Sequence, residues 1–342
     1  VYSRFFCCFV AASLLANLAL SDEAQVLKVF ILAGQSNMEG KAKLTLLNYQ
    51  AAQPATAERF ARFRAAGDWT VREDVWIKFL DRQGPLTIGF GSPGCIGPEL
   101  AFGFKMGDRF REPVLLIKTA WGGRSLYRDF RSPSAGLPND EVLAEMLKRE
   151  QVKHPEKTLD DIKAPFGASY RTMLKEVQET LAHPENVDQK LEGLKPELAG
   201  LAWFQGWNDM IDAKATAEYA DNLAHFVRDV RKDLAAPHLP IAVAQMGVDG
   251  ERPNDNIHKF KEAQAAGVDR DEFRGNVALV KTDLFWDTDA EAVFKKGWRE
   301  NLEEWNKVGS DYPYHYLGSP RTLCAVGDAL ADALLSMETA DR

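Results

Sequence analysis

An apolar run from Val26 to Ala33 stops abruptly at Gly34-Gln35-Ser36-Asn37-Met38. It lacks the alternation of a half-exposed strand and suits one covered on both faces, as in parallel sheets. Such a strand delivers its last residues to a tight turn at its carboxyl end, the edge where open α/β sheets place their ligands. Four more runs have the same character: Pro113–Ala120, Ala199–Phe204, Leu239–Met246 and Asn276–Thr282. Helical patterns separate them. Pro98–Phe110 opens on a proline with a glutamate beside it. Ala215–Leu234 brings Tyr219, Leu223, Phe226, Val230 and Leu234 to one face. The last helix starts at Ser319-Pro320, a cap followed by proline, and turns Leu323, Val326, Leu330 and Leu334 inward. Strand alternating with helix predicts an α/β fold, a five-stranded parallel sheet with helices on both faces.

The 342 residues suit one large α/β domain or two small ones, and 45% hydrophobic residues suffice for a sizeable core. A net charge of −8 without a basic run of useful length argues against a nucleic-acid or anionic-membrane partner. Arg4 followed by the apolar stretch Phe5–Leu20, with small residues at Ala19 and Ser21, reads as a signal peptide over residues 1–21. The mature chain, 22–342, is then expected as a single domain, secreted or periplasmic, without stable membrane insertion. Cys7 and Cys8 leave with the leader; Cys95 and Cys324 remain, and whether they pair stays open. No His/Cys cluster has metal-site spacing, so no metal is expected.

Three stretches exceed simple connections: 41–95 with Trp69, Trp76 and Phe79; 124–165, charged and proline-bearing; and 284–310 with Trp286, Trp298 and Trp305. Insertions of this kind serve as lids, substrate walls or plain surface decoration.

Ser36 at the end of the first strand is a candidate nucleophile, which needs a base to take its proton. His315, in Asp311-Tyr-Pro-Tyr-His315, is the candidate base; the other five histidines lie in helical or loop segments without a motif. The GxSxG elbow of ordinary α/β-hydrolases is absent, since Met38 stands where its second glycine belongs.

These blocks resemble the SGNH hydrolases, and among them the sialate O-acetylesterase-like branch that includes carbohydrate esterase family 6. Gly34–Met38 resembles the first block, and Ile96-Gly-Pro-Glu-Leu100 the second. Ile117-Lys-Thr-Ala-Trp-Gly-Gly123 is similar to the glycine pair after the family's second strand. Trp203-Phe-Gln-Gly-Trp-Asn-Asp209 resembles the third block, and His315-Tyr-Leu-Gly318 the last. The blocks occur in order from about residue 26 to 335.

The resemblance implies a three-layer, flavodoxin-like fold and a serine esterase without cofactor that removes O-acetyl groups from carbohydrate, either acetylated polysaccharide or sialic acid. It implies catalysis by Ser36, His315 and Asp311. It also implies an oxyanion hole made by the Ser36 N–H, Gly97 and Asn208, with Gln205 in reserve, since acyl transfer builds charge on the carbonyl oxygen that fixed donors must meet. Gln35 and Trp207 are carried over as substrate-binding residues. Two departures stand out. Trp207 occupies a place where sugar-ester members often have glutamate. Asp311 lies four residues before the histidine, where the family shows three, so a backbone carbonyl, Asp209 or Asp283 remain alternative partners for His315. Other readings are a lipid or aryl esterase on the same fold, or a sugar-binding protein on an inactive scaffold. The oligomeric state is left open.

Overall fold

The computed structural model describes residues 25–338; the leader segment read from the sequence lies outside them. A seven-stranded sheet forms the centre. In chain order its strands are β1 (Val26–Gly34), β2 (Val75–Phe79), β3 (Arg82–Pro85), β4 (Val114–Ala120), β5 (Lys195–Phe204), β6 (Ile241–Gln245) and β7 (Val277–Lys281). The spatial order is β7-β6-β5-β1-β4-β2-β3, parallel throughout except for the antiparallel β2–β3 hairpin. All five expected strands are present. The two extra ones come from the 41–95 insertion, so Trp76 and Phe79 are core residues of a strand and not a substrate wall.

The principal helices are α1 (Ser36–Glu39), α2 (Leu44–Ala52), α3 (Glu99–Arg109), α4 (Asp140–Gln151), α5 (Leu159–Lys163), α6 (Ala168–Ala182), α7 (Trp207–Met210), α8 (Ala213–Asp233), α9 (Asp255–Val268), α10 (Thr288–Lys295), α11 (Leu302–Val308) and α12 (Pro320–Glu338). Side chains alternate across a strand, and the two faces of the sheet are covered accordingly. On one face Phe30 of β1 meets Phe102 of α3 edge-on at 5.6 Å, and Gly200 of β5 lies under Leu334 of α12. On the other, Trp203 of β5 packs against Phe226 of α8 at 4.4 Å. Burial of these large side chains is the main stabilising term, on the order of 1.5–3 kcal/mol for each. In the 124–165 insertion, α4 and α5 form a satellite cluster around Leu143, Ile162 and Phe166.

The strand order places the switch point at β1. Its neighbours are β4, reached after the β2–β3 excursion, and β5, on the opposite side. Gly34 is in register with Ala120 of β4 and Phe204 of β5, so three βα loops start level at the middle of the sheet's carboxyl edge. Gly34 itself must be glycine: at φ 151° a Cβ would lie 2.2 Å from the Phe204 carbonyl oxygen.

Among the described residues no helix is long and apolar enough to cross a membrane. Cys95 and Cys324 are both buried free thiols, which answers the open pairing question in the negative.

Candidate active site

Ser36 is the first residue of α1, directly beyond β1, and is 5% exposed. The N–H of a first helical residue has no intrahelical acceptor, so the Ser36 amide points out of the turn unused by the helix. Asn37, to which the sequence reading gave no role, ties this turn to the histidine segment: its Nδ2 donates to the Tyr314 carbonyl oxygen at 3.1 Å.

His315 sits on a tight turn, 313–318, that precedes α12. Its Nδ1 lies 3.0 Å from Asp311 Oδ1. A carboxylate only accepts, so Nδ1 carries the proton and Nε2 is left as the basic nitrogen. The four-residue spacing works because the chain doubles back. Tyr316, Leu317 and Gly318 all have left-handed φ, 53°, 60° and 57°, and the Ser310 and Asp311 N–H groups donate back to the Leu317 carbonyl. Left-handed conformation at two consecutive non-glycine residues is costly and persists only where surroundings enforce it. The enforcement is visible at Tyr316, which is fully buried. Its Oη accepts from the Gly247 N–H at 2.8 Å and bonds Thr282 Oγ1 at 2.6 Å. Thr282 Oγ1 in turn donates to the Gln245 carbonyl. The histidine turn is thereby bolted to the ends of β6 and β7.

Burial pushes the Asp311 carboxyl upward. The His315 hydrogen bond, the Tyr312 N–H and the charges of His315 and Lys41 outweigh this and hold it below the ordinary carboxylate range.

The third loop leaves β5 at Gln205 and enters α7. Asn208 Oδ1 accepts from Gln35 Nε2 at 3.1 Å, which leaves both Nδ2 hydrogens for another acceptor. Trp207 is half-buried, with its ring centroid 5.4 Å from that of Tyr314, the neighbour of His315. Ser36, His315, Asp311, Asn208 and Trp207 are thus gathered at one edge of the sheet.

Three other expected site residues are used elsewhere. The Gly97 N–H, expected at the oxyanion hole, donates to Glu99 Oε1 at 2.8 Å, inside the protein. Its lack of a side chain is needed for packing, since a Cβ there would lie 2.8 Å from Gly40 Cα. Gln205 is 2% exposed and spent on structure. Its Nε2 reaches Asp209 Oδ2, the Arg124 carbonyl and Gln35 Oε1, while its Oε1 accepts from Tyr219. Gln35, carried over as a substrate-binding residue, is only 1% exposed. Its Oε1 accepts from the Gly206 and Asn208 N–H groups, and its Nε2 aims Asn208. It braces the third loop against the first.

The alternative acids are also accounted for. Asp209 is fully buried and receives the N–H groups of Leu126 and Tyr127 at 2.9 and 2.8 Å, along with the Gln205 amide. Burial raises its carboxyl to about 6, against the pull of those three donors. Asp283 pairs with Lys261. Neither bonds His315.

The loop after β4 holds the glycine pair Gly122-Gly123. Trp121 N–H donates to the Gly34 carbonyl at 3.3 Å, and a Cβ on Gly122 would lie 3.3 Å from Glu39 Oε2 of α1. Gly122 and Gly123 are exposed. Both glycines lie against α1, but Gly122 does so at the open edge and Gly97 is enclosed. The signal for it was in the sequence: a glycine pair immediately after a parallel strand adjoining β1.

Behind the site lies a pair the sequence did not announce. Lys118 of β4 and Glu99 of α3 are both fully buried, Nζ to Oε2 2.7 Å. Lys118 Nζ also donates to the Glu39 and Phe90 carbonyls, each at 2.8 Å, and lies 4.5 Å from the Phe79 ring centroid. Burial lowers the lysine from its usual value, opposed by Glu99.

A family model described as carbohydrate esterase, sialic acid-specific acetylesterase, matches residues 26–291. No curated protein sequence matches the chain. Among solved structures, NanS superposes with a TM-score of 0.52 at 15% identity, over 93% of this chain and 99% of that one. A protein from Arabidopsis thaliana superposes with a TM-score of 0.50 at 18% identity, over 90% and 98%. At such identities the likeness speaks to the fold, which is the SGNH-type α/β fold expected from the sequence. The family match covers most of the chain: it belongs to the carbohydrate esterase, sialic acid-specific acetylesterase family and is a carbohydrate O-acetylesterase.

Proposed function

We propose that the protein hydrolyses the acetyl ester through an acyl-serine formed on Ser36. The observation that carries this is the Asp311–His315 pair, 3.0 Å apart on a turn that Asn37 fastens to the serine's own helix. With Nδ1–H given to Asp311, Nε2 takes the Ser36 proton as the hydroxyl attacks the acetyl carbonyl. It returns that proton to the departing sugar hydroxyl. Water then attacks the acetyl-serine, His315 acting again as base, and releases acetate. The developing oxyanion is met by the Ser36 N–H, by Asn208 Nδ2, and by the N–H of Gly122 in the place expected for Gly97. Each such donor supplies about 2.7–4 kcal/mol of transition-state stabilisation where its loss has been measured in other enzymes. None of these steps calls for a cofactor.

The substrate in this reading is an acetylated carbohydrate. Trp207, where sugar-ester members often carry glutamate, offers a ring face to the sugar. The reading also has the enzyme exported, secreted or periplasmic, on the strength of the leader-like segment after Arg4.

A fluorophosphonate probe tests the nucleophile. The expected result is one covalent adduct, on the peptide containing Ser36, and none on Ser36→Ala protein. An adduct on another residue, or undiminished labelling of the variant, contradicts the assignment.

A further inference from the structure

A cleft of about 800 Å³ opens beside the histidine turn, walled by α2 on one side and by α10 and α11 of the 284–310 insertion on the other. Asp311 and Tyr312 form its end nearest the candidate active site, so the two spaces share a wall. Cavities of this size hold ligands larger than one small molecule fragment, and their polar groups set orientation.

Its lining mixes aromatic and polar side chains. Trp298, Trp305, Phe294, Tyr49 and Tyr312 contribute rings, Leu46 and Leu302 add aliphatic surface, and Lys43, Asn306 and Glu303 are among the polar heads. Tyr49 and Tyr312 are 36% and 39% exposed, high for aromatic side chains with a core nearby to enter. Arg299 lies over the Trp298 ring at 4.9 Å and donates to Tyr312 Oη at 3.3 Å, which fixes both rings at the rim.

The rings continue out of the cleft. Trp298 meets Tyr312 at 6.0 Å, Tyr312 stacks on Tyr314 at 5.3 Å, and Tyr314 meets Trp207 at 5.4 Å. Tyr314 also lies 4.5 Å from the His315 ring. A broken line of aromatic faces therefore runs from the Asn208 loop, past the histidine, into the cleft. Rings mixed with amide and ammonium groups suit sugars, whose C–H faces stack and whose hydroxyls bond.

We infer that this cleft receives the glycan chain that continues beyond the ester-bearing sugar, so that the enzyme's substrate is an acetylated oligo- or polysaccharide and not a single free sugar. The inference rests on the reading of Ser36 and His315 as the reacting pair, which fixes where the ester lies. The line of rings then gives the direction in which the chain leaves.

Binding to Ser36→Ala protein, read by titration calorimetry, tests this without turnover. The probes are xylohexaose and hexagalacturonate, each against its own monosaccharide, so that neutral and acidic chains are both covered. At least one hexamer is expected to bind about tenfold or more tighter than its monomer. Trp298→Ala is expected to remove most of that advantage. Because Trp298 packs on Phe294 and Trp305, Tyr49→Ala, at the solvent-facing wall, is measured in parallel with the same expectation. Equal affinity of hexamer and monomer for both sugars, or an advantage that survives in both variants, overturns the inference. Ser36-dependent ester hydrolysis is measured separately. Its absence together with chain-length-dependent binding refutes the catalytic reading alone; its presence without chain-length dependence refutes the cleft alone.

Discussion

His315→Ala is expected to lower kcat for acetyl-ester hydrolysis by about 10⁶-fold, as much as loss of Ser36 itself, because members of a triad act as a unit in the serine hydrolases where this has been measured. Asp311→Asn should cost less, about 10⁴-fold, since it leaves the base in place but removes the acceptor that holds the Nδ1 proton. Asp311 is held below the ordinary carboxylate range. Its own contribution to stability is present above the ordinary aspartate value and is lost only as pH falls through its lowered one. An Asp311→Asn enzyme with full activity would mean that another group orients His315.

Lys118→Met is expected to destabilise the fold by about 3–5 kcal/mol, because it leaves the Glu99 carboxylate buried without its cation. Two carbonyls, of Glu39 and Phe90, lose their donor at the same time. A buried pair is not itself strong evidence of stabilisation, since desolvation offsets attraction. The informative comparison is therefore with the double variant Lys118→Met/Glu99→Gln, which removes both charges and keeps an oxygen for the Gly97 N–H. The double variant should recover much of the loss in a urea unfolding series. A single variant within about 1 kcal/mol of wild type would show that Glu99 is not held as a carboxylate. The pair also backs the site: Lys118 holds the carbonyl end of α1, and Glu99 holds Gly97 against Gly40.

What could be read from the sequence follows from how burial writes itself into residue patterns. The strands at the heart of the sheet, β1, β4 and β6, are covered on both faces and read as continuous apolar runs, while β7 is an edge strand whose run is apolar though only partly buried. Val75–Phe79 carries Lys78 and Arg82–Pro85 is polar, as suits the sheet margin, so neither stood out within a tryptophan-bearing insertion. At the site, motif order and proximity along the chain sufficed to group Ser36, His315 and Asp311, which the fold brings to one sheet edge. The partner geometry of an Asp four residues before a histidine depended on a left-handed turn that no residue type there advertises, since Tyr316 and Leu317 are not residues that favour it.

Gly97, Gln35 and Gln205 make internal hydrogen bonds that no motif announces. A glycine frees its N–H for a ligand and equally permits close approach of backbone, and only the position of Gly40 decides between the two. An amide at a strand end can face substrate or brace a neighbouring loop, and the Gln35–Gln205–Asp209 network spends those groups on bracing. Lys118 and Glu99 both fell inside recognised blocks, yet their pairing needs the packing of α3 against β4, which no local pattern records.

The most direct test of the central claim is acetate release by purified wild-type and Ser36→Ala protein from acetylated xylan oligosaccharide, O-acetyl sialic acid and a long-chain ester. Acetate is expected from a sugar substrate with the wild type, and none above background with Ser36→Ala. Turnover confined to the long-chain ester, or acetate release that persists without the Ser36 hydroxyl, would contradict it.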